Sequence, residues 1–173
     1  MQLLEYYQNQ RYVIENYVPR KCQLPRKGDI NLYGVRGAGK TTIVLDLIQE
    51  GNQATTLYID LEDPNLIFNT LTTLTLQQYI DREGITLLIL DHYEEGYLSY
   101  FPNVERLIIL SRIPLQDDDL KPVELFPLDY EEFLAFESNV SQSSGFNHFL
   151  RAGTLPVMAR SQKTSIRTMK PFL

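Results

Sequence analysis

The chain carries a single cysteine, Cys22, so no intramolecular disulfide can form, and a lone thiol fits a reducing compartment. At 173 residues it needs no such staple, because a chain of this size buries about two-thirds of its unfolded surface on folding. Long apolar runs are also missing: none approaches the roughly 18 residues that span a bilayer. The opening stretch MQLLEYYQNQRYVIENY lacks both the basic and the apolar regions of a secretory signal. Acidic residues are absent after Glu137. The segment 138–173 holds five basic residues (Arg151, Arg160, Lys163, Arg167 and Lys170), a net +5, whereas 1–137 sets eleven basic residues against all 22 acidic ones, a net −11. An acidic body argues against nucleic-acid binding over the whole surface and leaves only the basic tail to touch phosphates or an acidic partner. With 43% hydrophobic and 22% charged residues, disorder is excluded as the main state. The expectation is a soluble, cytoplasmic protein with no membrane association, one domain and a small appendage.

What is present is an alternation of short apolar runs and helical spacing, the pattern of an α/β fold with a parallel sheet. Leu3, Leu4, Tyr7, Val13, Ile14 and Tyr17 predict an N-terminal helix over 1–20, ended by Pro19. The core, 21–137, predicts strands at 29–33, 55–60, 85–90, 104–110 and 122–126. Helices are expected at 40–50, from an Asp63 cap with Pro64 at its first position to about Arg82, and after the capping-box spacing of Asp129 and Glu132. The run 85–90 is apolar almost throughout, as expected of a strand covered on both faces. Residues 138–145 have linker composition, 146–152 predict a brief helix, and from Thr154 onward the apolar pattern is too weak to predict a packed element. The chain stops without an evident closing element, which reads as part of something longer.

Gly34-Val35-Arg36-Gly37-Ala38-Gly39-Lys40-Thr41 matches the phosphate-loop pattern at every specified position, between an apolar strand and an amphipathic helix. The glycines allow the backbone to wrap phosphates, and the amide hydrogens with the helix N-terminus face the anion. Lys40 is placed to reach the β- and γ-phosphates, Thr41 to put its hydroxyl on Mg²⁺, and Thr42 to sit near the α-phosphate. Such a loop needs an acidic residue at a nearby strand end. Asp91, closing Leu87-Leu88-Ile89-Leu90, fills that role, so Thr41 and Asp91 are the expected metal pair. His92 follows where related ATPases with an inserted strand carry a glutamate that activates water. Histidine can serve as a base at neutral pH, and Glu62, Glu94 and Glu95 stand as alternatives; the sequence leaves the choice open. Ser111, directly after the fourth strand, is the candidate γ-phosphate sensor, and Arg112 reads as a surface ion pair.

The order GVRGAGKTT, YIDLEDP, LLILDHY, LIILSR, LFPLDYEEFLAFE and FLRAGTLPVM resembles one group of the AAA superfamily. These are bacterial and archaeal ATPases with an N-terminal AAA-type module and a separate C-terminal domain of unclear role. The shared features include an arginine like Arg36, an aspartate-rich segment like Asp60–Pro64, the phrase from Pro127 to Leu134, and Gly153-Thr154-Leu155-Pro156. The likeness covers about residues 25–160. It implies a three-layer P-loop NTPase of the AAA-like type, with a mainly parallel five-stranded sheet of order 5-1-4-3-2. Helices would cover both faces, and Lys40 and Asp91 would face each other across the inserted fourth strand. Two departures stand out. The group has Asp-Glu where this chain has Asp91-His92, and Thr-Gly-Ser-Ser where it has Ser111-Arg112-Ile113-Pro114.

The implied function is an ATPase module using ATP or ADP with Mg²⁺, coupling binding and slow hydrolysis to conformational change in a protein partner or a C-terminal domain. Oligomerisation is compatible with it. The alternative is a nucleotide-binding switch that hydrolyses little. A small-molecule kinase would want an arginine-rich lid, which Arg112 and Asp117–Asp119 do not resemble. Tyr93, Tyr97, Tyr100 and Phe101 form an aromatic group that is either a contact surface or a loop packed on its own domain.

Overall fold

The computed structural model describes residues 2–15, 17–68, 71–136, 145–147, 149–150, 154–156 and 165–169. Five strands make the central sheet: β2 (Ile30–Tyr33), β3 (Thr56–Asp60), β4 (Leu87–Asp91), β5 (Arg106–Ser111) and β6 (Lys121–Glu124). A further short strand, β1 (Arg11–Glu15), precedes them. The sheet order is β3-β4-β5-β2-β6, and all four ladders are parallel. Counted over these five strands alone, this is the expected 5-1-4-3-2. β5 therefore lies between the strand that feeds the phosphate loop and the strand that ends in Asp91.

The apolar runs alternate between two cores. Leu57, Ile59, Leu88, Leu90, Leu107 and Ile109 face one side, with α1 (Gln2–Asn9), α3 (Asn65–Phe68) and α4 (Thr73–Glu83). Tyr58, Ile89, Ile108, Leu110, Ile30 and Leu32 face the other, where they meet Ile43, Val44, Leu45 and Ile48 of α2 (Lys40–Glu50). Successive strand residues point to opposite faces, so a strand buried on both faces reads as a continuous apolar run. α5 (Tyr130–Phe136) adds a third cluster of Leu128, Phe133 and Phe136.

The N-terminal helix expected over 1–20 is shorter than that. α1 ends at Asn9 and β1 follows, because Tyr12, Val13 and Ile14 are aromatic and β-branched and find a strand partner. The partner is β7 (Ser165–Met169), antiparallel from Arg11↔Met169 to Glu15↔Ser165. This strand lies in a segment whose apolar pattern predicts no element. It is a pairing of opposite chain ends that no local signal announces. The single helix expected from Asp63 to Arg82 is two. Asp63 does accept from the Asn65 amide at 2.8 Å, but α4 starts anew at a Thr72–Thr75 capping box, since the threonine hydroxyls compete for backbone groups there. Gly84, in the left-handed conformation, ends α4 close to the expected limit at Arg82. The linker expected at 138–145 falls almost wholly outside the described residues. Among the described residues no helix is long and apolar enough to cross a membrane.

Candidate functional site

The phosphate loop joins β2 to α2. Gly34 has φ 149°, and a Cβ there would lie 2.3 Å from the Leu125 carbonyl oxygen, so only glycine lets the chain after β6 close against the loop. Gly37 and Gly39 are left-handed, at φ 84° and 98°. Gly39 is the N-cap of α2 and no side chain caps that end, which leaves first-turn amide groups for an anion. Lys40 folds back over the loop, its Nζ donating to the carbonyls of Gly34 (2.6 Å) and Val35 (3.1 Å). Burial lowers its pKa, with the nearby Asp91 charge opposing that.

Asp91 is 1% exposed. Its Oδ2 accepts from the Thr41 hydroxyl at 2.7 Å and from the Tyr58 hydroxyl at 2.8 Å, and its Oδ1 accepts from the His92 amide at 2.8 Å. The expected metal pair is thus in direct contact. Burial, and then the Asp91 charge, raise the Tyr58 pKa far above its ordinary value, so this phenol stays protonated and donates to the carboxylate. The oxygen donors of Thr41 and Asp91 suit a hard divalent cation. No cluster of three or more His, Cys, Asp or Glu among the described residues is set to hold a metal unaided.

His92 is the only non-glycine described residue at positive φ, 56°. Its Nδ1 lies 2.7 Å from Asp60 Oδ1 and its Nε2 lies 4.0 Å from Glu62 Oε2. Glu62 in turn takes a two-pronged contact from Arg36 (3.1 and 2.8 Å), with Arg112 at 3.7 Å. Arg112 therefore does make a surface ion pair. Glu94 and Glu95 are both exposed, and of the two only Glu94 lines the cleft. Ser111 is 3% exposed; its hydroxyl donates to the Ile113 carbonyl (2.6 Å) and accepts from buried Asn31 (2.8 Å). Both hydroxyl functions are engaged within the protein.

A cavity of about 510 Å³ lies beside these groups. Gly37, Gly39, Lys40, Thr41, Thr42 and Arg36 form one wall, and Glu62, His92, Glu94, Ser111 and Arg112 form another. Tyr17, Val18, Phe136 and Pro156 add an apolar side. Burial, then the charge of Asp46, push the Tyr17 pKa up to about 12.

Sequence reasoning missed two participants. Arg20, with a side chain 4% exposed, donates to both carboxylate oxygens of Glu132 (2.9 and 3.2 Å) and to the carbonyls of Ala38 in the loop and Phe126. Glu132 also accepts from the Lys21 and Asp129 amides, so α5 is pinned to the phosphate loop. The capping box was visible, but its glutamate carried no sign of a partner 112 residues away. Tyr58 was missed too; a lone hydroxyl in a buried strand beside the aspartate strand was the available signal.

A glycine loop wrapped at a helix N-terminus, with its lysine and threonine, faces a buried aspartate across β5 on a parallel sheet; together these define a P-loop nucleotide-binding module. The sequence model of a family described as "AAA domain" matches residues 27–98, which carry the loop, Asp91 and His92. Over that stretch the chain is similar to AAA-type modules. No curated protein matches the chain. Among solved structures, a Signal Transduction ATPase with Numerous Domains (STAND) protein with a tetratricopeptide repeat sensor, from Pyrococcus horikoshii, aligns with 85% of this chain. The TM-score is 0.48 and the identity 18%, and this chain spans 31% of that protein's length.

Proposed function

We propose that the chain binds ATP or ADP with Mg²⁺ in this cleft and hydrolyses ATP slowly, passing the change in occupancy to a protein partner or a further domain. The observation that carries the reading is the contact of Thr41 with buried Asp91, where Thr41 and Lys40 themselves line the cavity that the loop borders. Mg²⁺, when bound, would neutralise charge on the phosphate oxygens. The protein groups do the rest. Loop amides and Lys40 hold phosphates, Thr41 and Asp91 hold the cation, and Tyr17, Val18, Phe136 and Pro156 offer an apolar side for a base. His92 stands where a water-activating group belongs, and its Nδ1 contact with Asp60 fixes the ring. Coupling would run through Arg20, which ties the Ala38 carbonyl to Glu132 of α5. A reducing, cytoplasmic setting fits the lone Cys22.

A second reading, a switch that binds nucleotide and hydrolyses little, is favoured by His92 itself, which replaces a glutamate and is engaged with Asp60. Phosphate release measured with and without candidate phosphate acceptors separates the two, and a kinase from both. Slow, acceptor-independent, Mg²⁺-dependent release supports the ATPase; none supports the switch; acceptor-dependent turnover contradicts both. The aromatic group is in large part a loop packed on itself, since Tyr93 is buried and lies 5.5 Å from Phe101 and 6.3 Å from Tyr97, ring to ring. Tyr100, 65% exposed, and Tyr97, 38% exposed, are the members left to face a partner.

A further inference from the structure

Thr41 and Asp91 belong to the motifs of the site; the third group on that carboxylate does not. Tyr58 comes from β3, is 6% exposed, and packs its ring edge-on against Tyr12 of β1 at 5.1 Å. An ionised carboxylate offers about four lone-pair positions. In Asp91 two on Oδ2 are filled by the Thr41 and Tyr58 hydroxyls, and one on Oδ1 by the His92 amide. A single position, on Oδ1, carries no hydrogen bond, and the His92 Nδ1 lies 3.7 Å from that oxygen.

We infer that Tyr58 is a positioning residue that sets metal selectivity: by occupying Oδ2 it restricts Asp91 to one outward contact. This rests on the nucleotide-binding reading above. One contact through a bound water suits Mg²⁺, which is small, strictly octahedral and slow to shed water. A carboxylate free to present both oxygens suits Ca²⁺, which is larger and accepts two-oxygen contacts in irregular shells. Without the phenol, Oδ2 regains a lone pair and the carboxylate is free to turn, held on that oxygen by Thr41 alone. Tyr12 blocks ring displacement from the β1 side, so the phenol is held where it acts.

The test is calorimetric binding of a non-hydrolysable ATP analogue to the full chain with Mg²⁺, with Ca²⁺ and with neither, in wild type, Tyr58→Phe and Tyr58→Met. Circular dichroism and melting temperature report folding. Tyr58→Phe keeps the ring and its packing, and Tyr58→Met fills the space with an unrelated side chain. The expected result is a preference for Mg²⁺ over Ca²⁺ that falls about tenfold in both variants, the size of one hydrogen bond to a charged group. Metal-free affinity stays at the wild-type value. An unchanged Mg²⁺-to-Ca²⁺ ratio in folded Tyr58→Phe overturns the inference, as does a change confined to Tyr58→Met, which would trace it to packing. Wild type that binds the analogue under no condition overturns the function reading as well; wild type that binds with a ratio insensitive to Tyr58 overturns this inference alone.

Discussion

Glu132→Gln tests the joint between α5 and the phosphate loop. The wild-type carboxylate is 8% exposed by side chain and the Arg20 guanidinium 4%, so the pair is shielded from water and salt. The substitution keeps the shape and removes the charge, leaving Arg20 buried with carbonyl partners only. Breaking one side of a buried pair costs about 3–5 kcal/mol. At about 2–4 °C per kcal/mol for a chain of this size, the melting temperature should fall by roughly 10 °C. The pH dependence has a definite sign. Burial alone would raise the Glu132 pKa, but the Arg20 guanidinium and the Lys21 and Asp129 amides outweigh it and hold the carboxyl below the ordinary 4.5. A depressed folded-state pKa contributes stability above the unfolded value, and that stability is lost as pH falls below it. Thermal melts from pH 7 down to 3 should therefore show wild type and variant converging at the acid end. A variant that melts within about 2 °C of wild type at pH 7, a loss of under 1 kcal/mol, would refute a charge-paired joint.

Gly34→Ala puts a Cβ 2.3 Å from the Leu125 carbonyl; it should cost about 1–3 kcal/mol by overpacking, read in a denaturant melt, and an unaltered midpoint would contradict the close approach. Asp91→Asn should weaken Mg²⁺-dependent ATP binding about tenfold while leaving Mg²⁺-free ADP binding intact; equal loss of both in calorimetry would make Asp91 structural. His92→Glu should raise the rate of phosphate release, by up to about 10²- to 10⁴-fold for a positioned base. The gain is smaller if an arginine supplied from elsewhere is also required. No gain, with alanine at Glu62 or Glu94 abolishing turnover, would move the base to that residue.

The parts of the fold legible in the sequence were those written locally. The loop needs glycines, lysine and threonine in fixed order, and β4 and β5 are apolar on both faces because both are covered. α2 runs over Lys40–Glu50, the range its sequence predicts. The sheet order came with the family likeness, because apolar strands of similar composition do not state their neighbours. What stayed hidden was long-range. β1 looked helical because Val13, Ile14 and Tyr17 fall at spacings both periods tolerate, and its partner β7 lies at the other end of the chain. In the candidate site, motif reading singled out Lys40, Thr41 and Asp91, and the fold brings the three together. Nothing in its local sequence marked Arg20 for the site, and its partner Glu132 read as a cap. Ser111 had the right place after its strand, but its hydroxyl is taken up by Ile113 and Asn31, which position alone could not show.

The central claim is that the loop from Gly34 to Thr42 binds nucleotide phosphates through Lys40. Calorimetric titration of ADP and of ATP with Mg²⁺ into wild type and Lys40→Ala tests it most directly. Removing a charge-assisted contact worth about 1.5–3 kcal/mol should weaken affinity about ten- to a hundredfold, with the variant still folded. Equal affinity in the two proteins, or no binding in wild type, would contradict it.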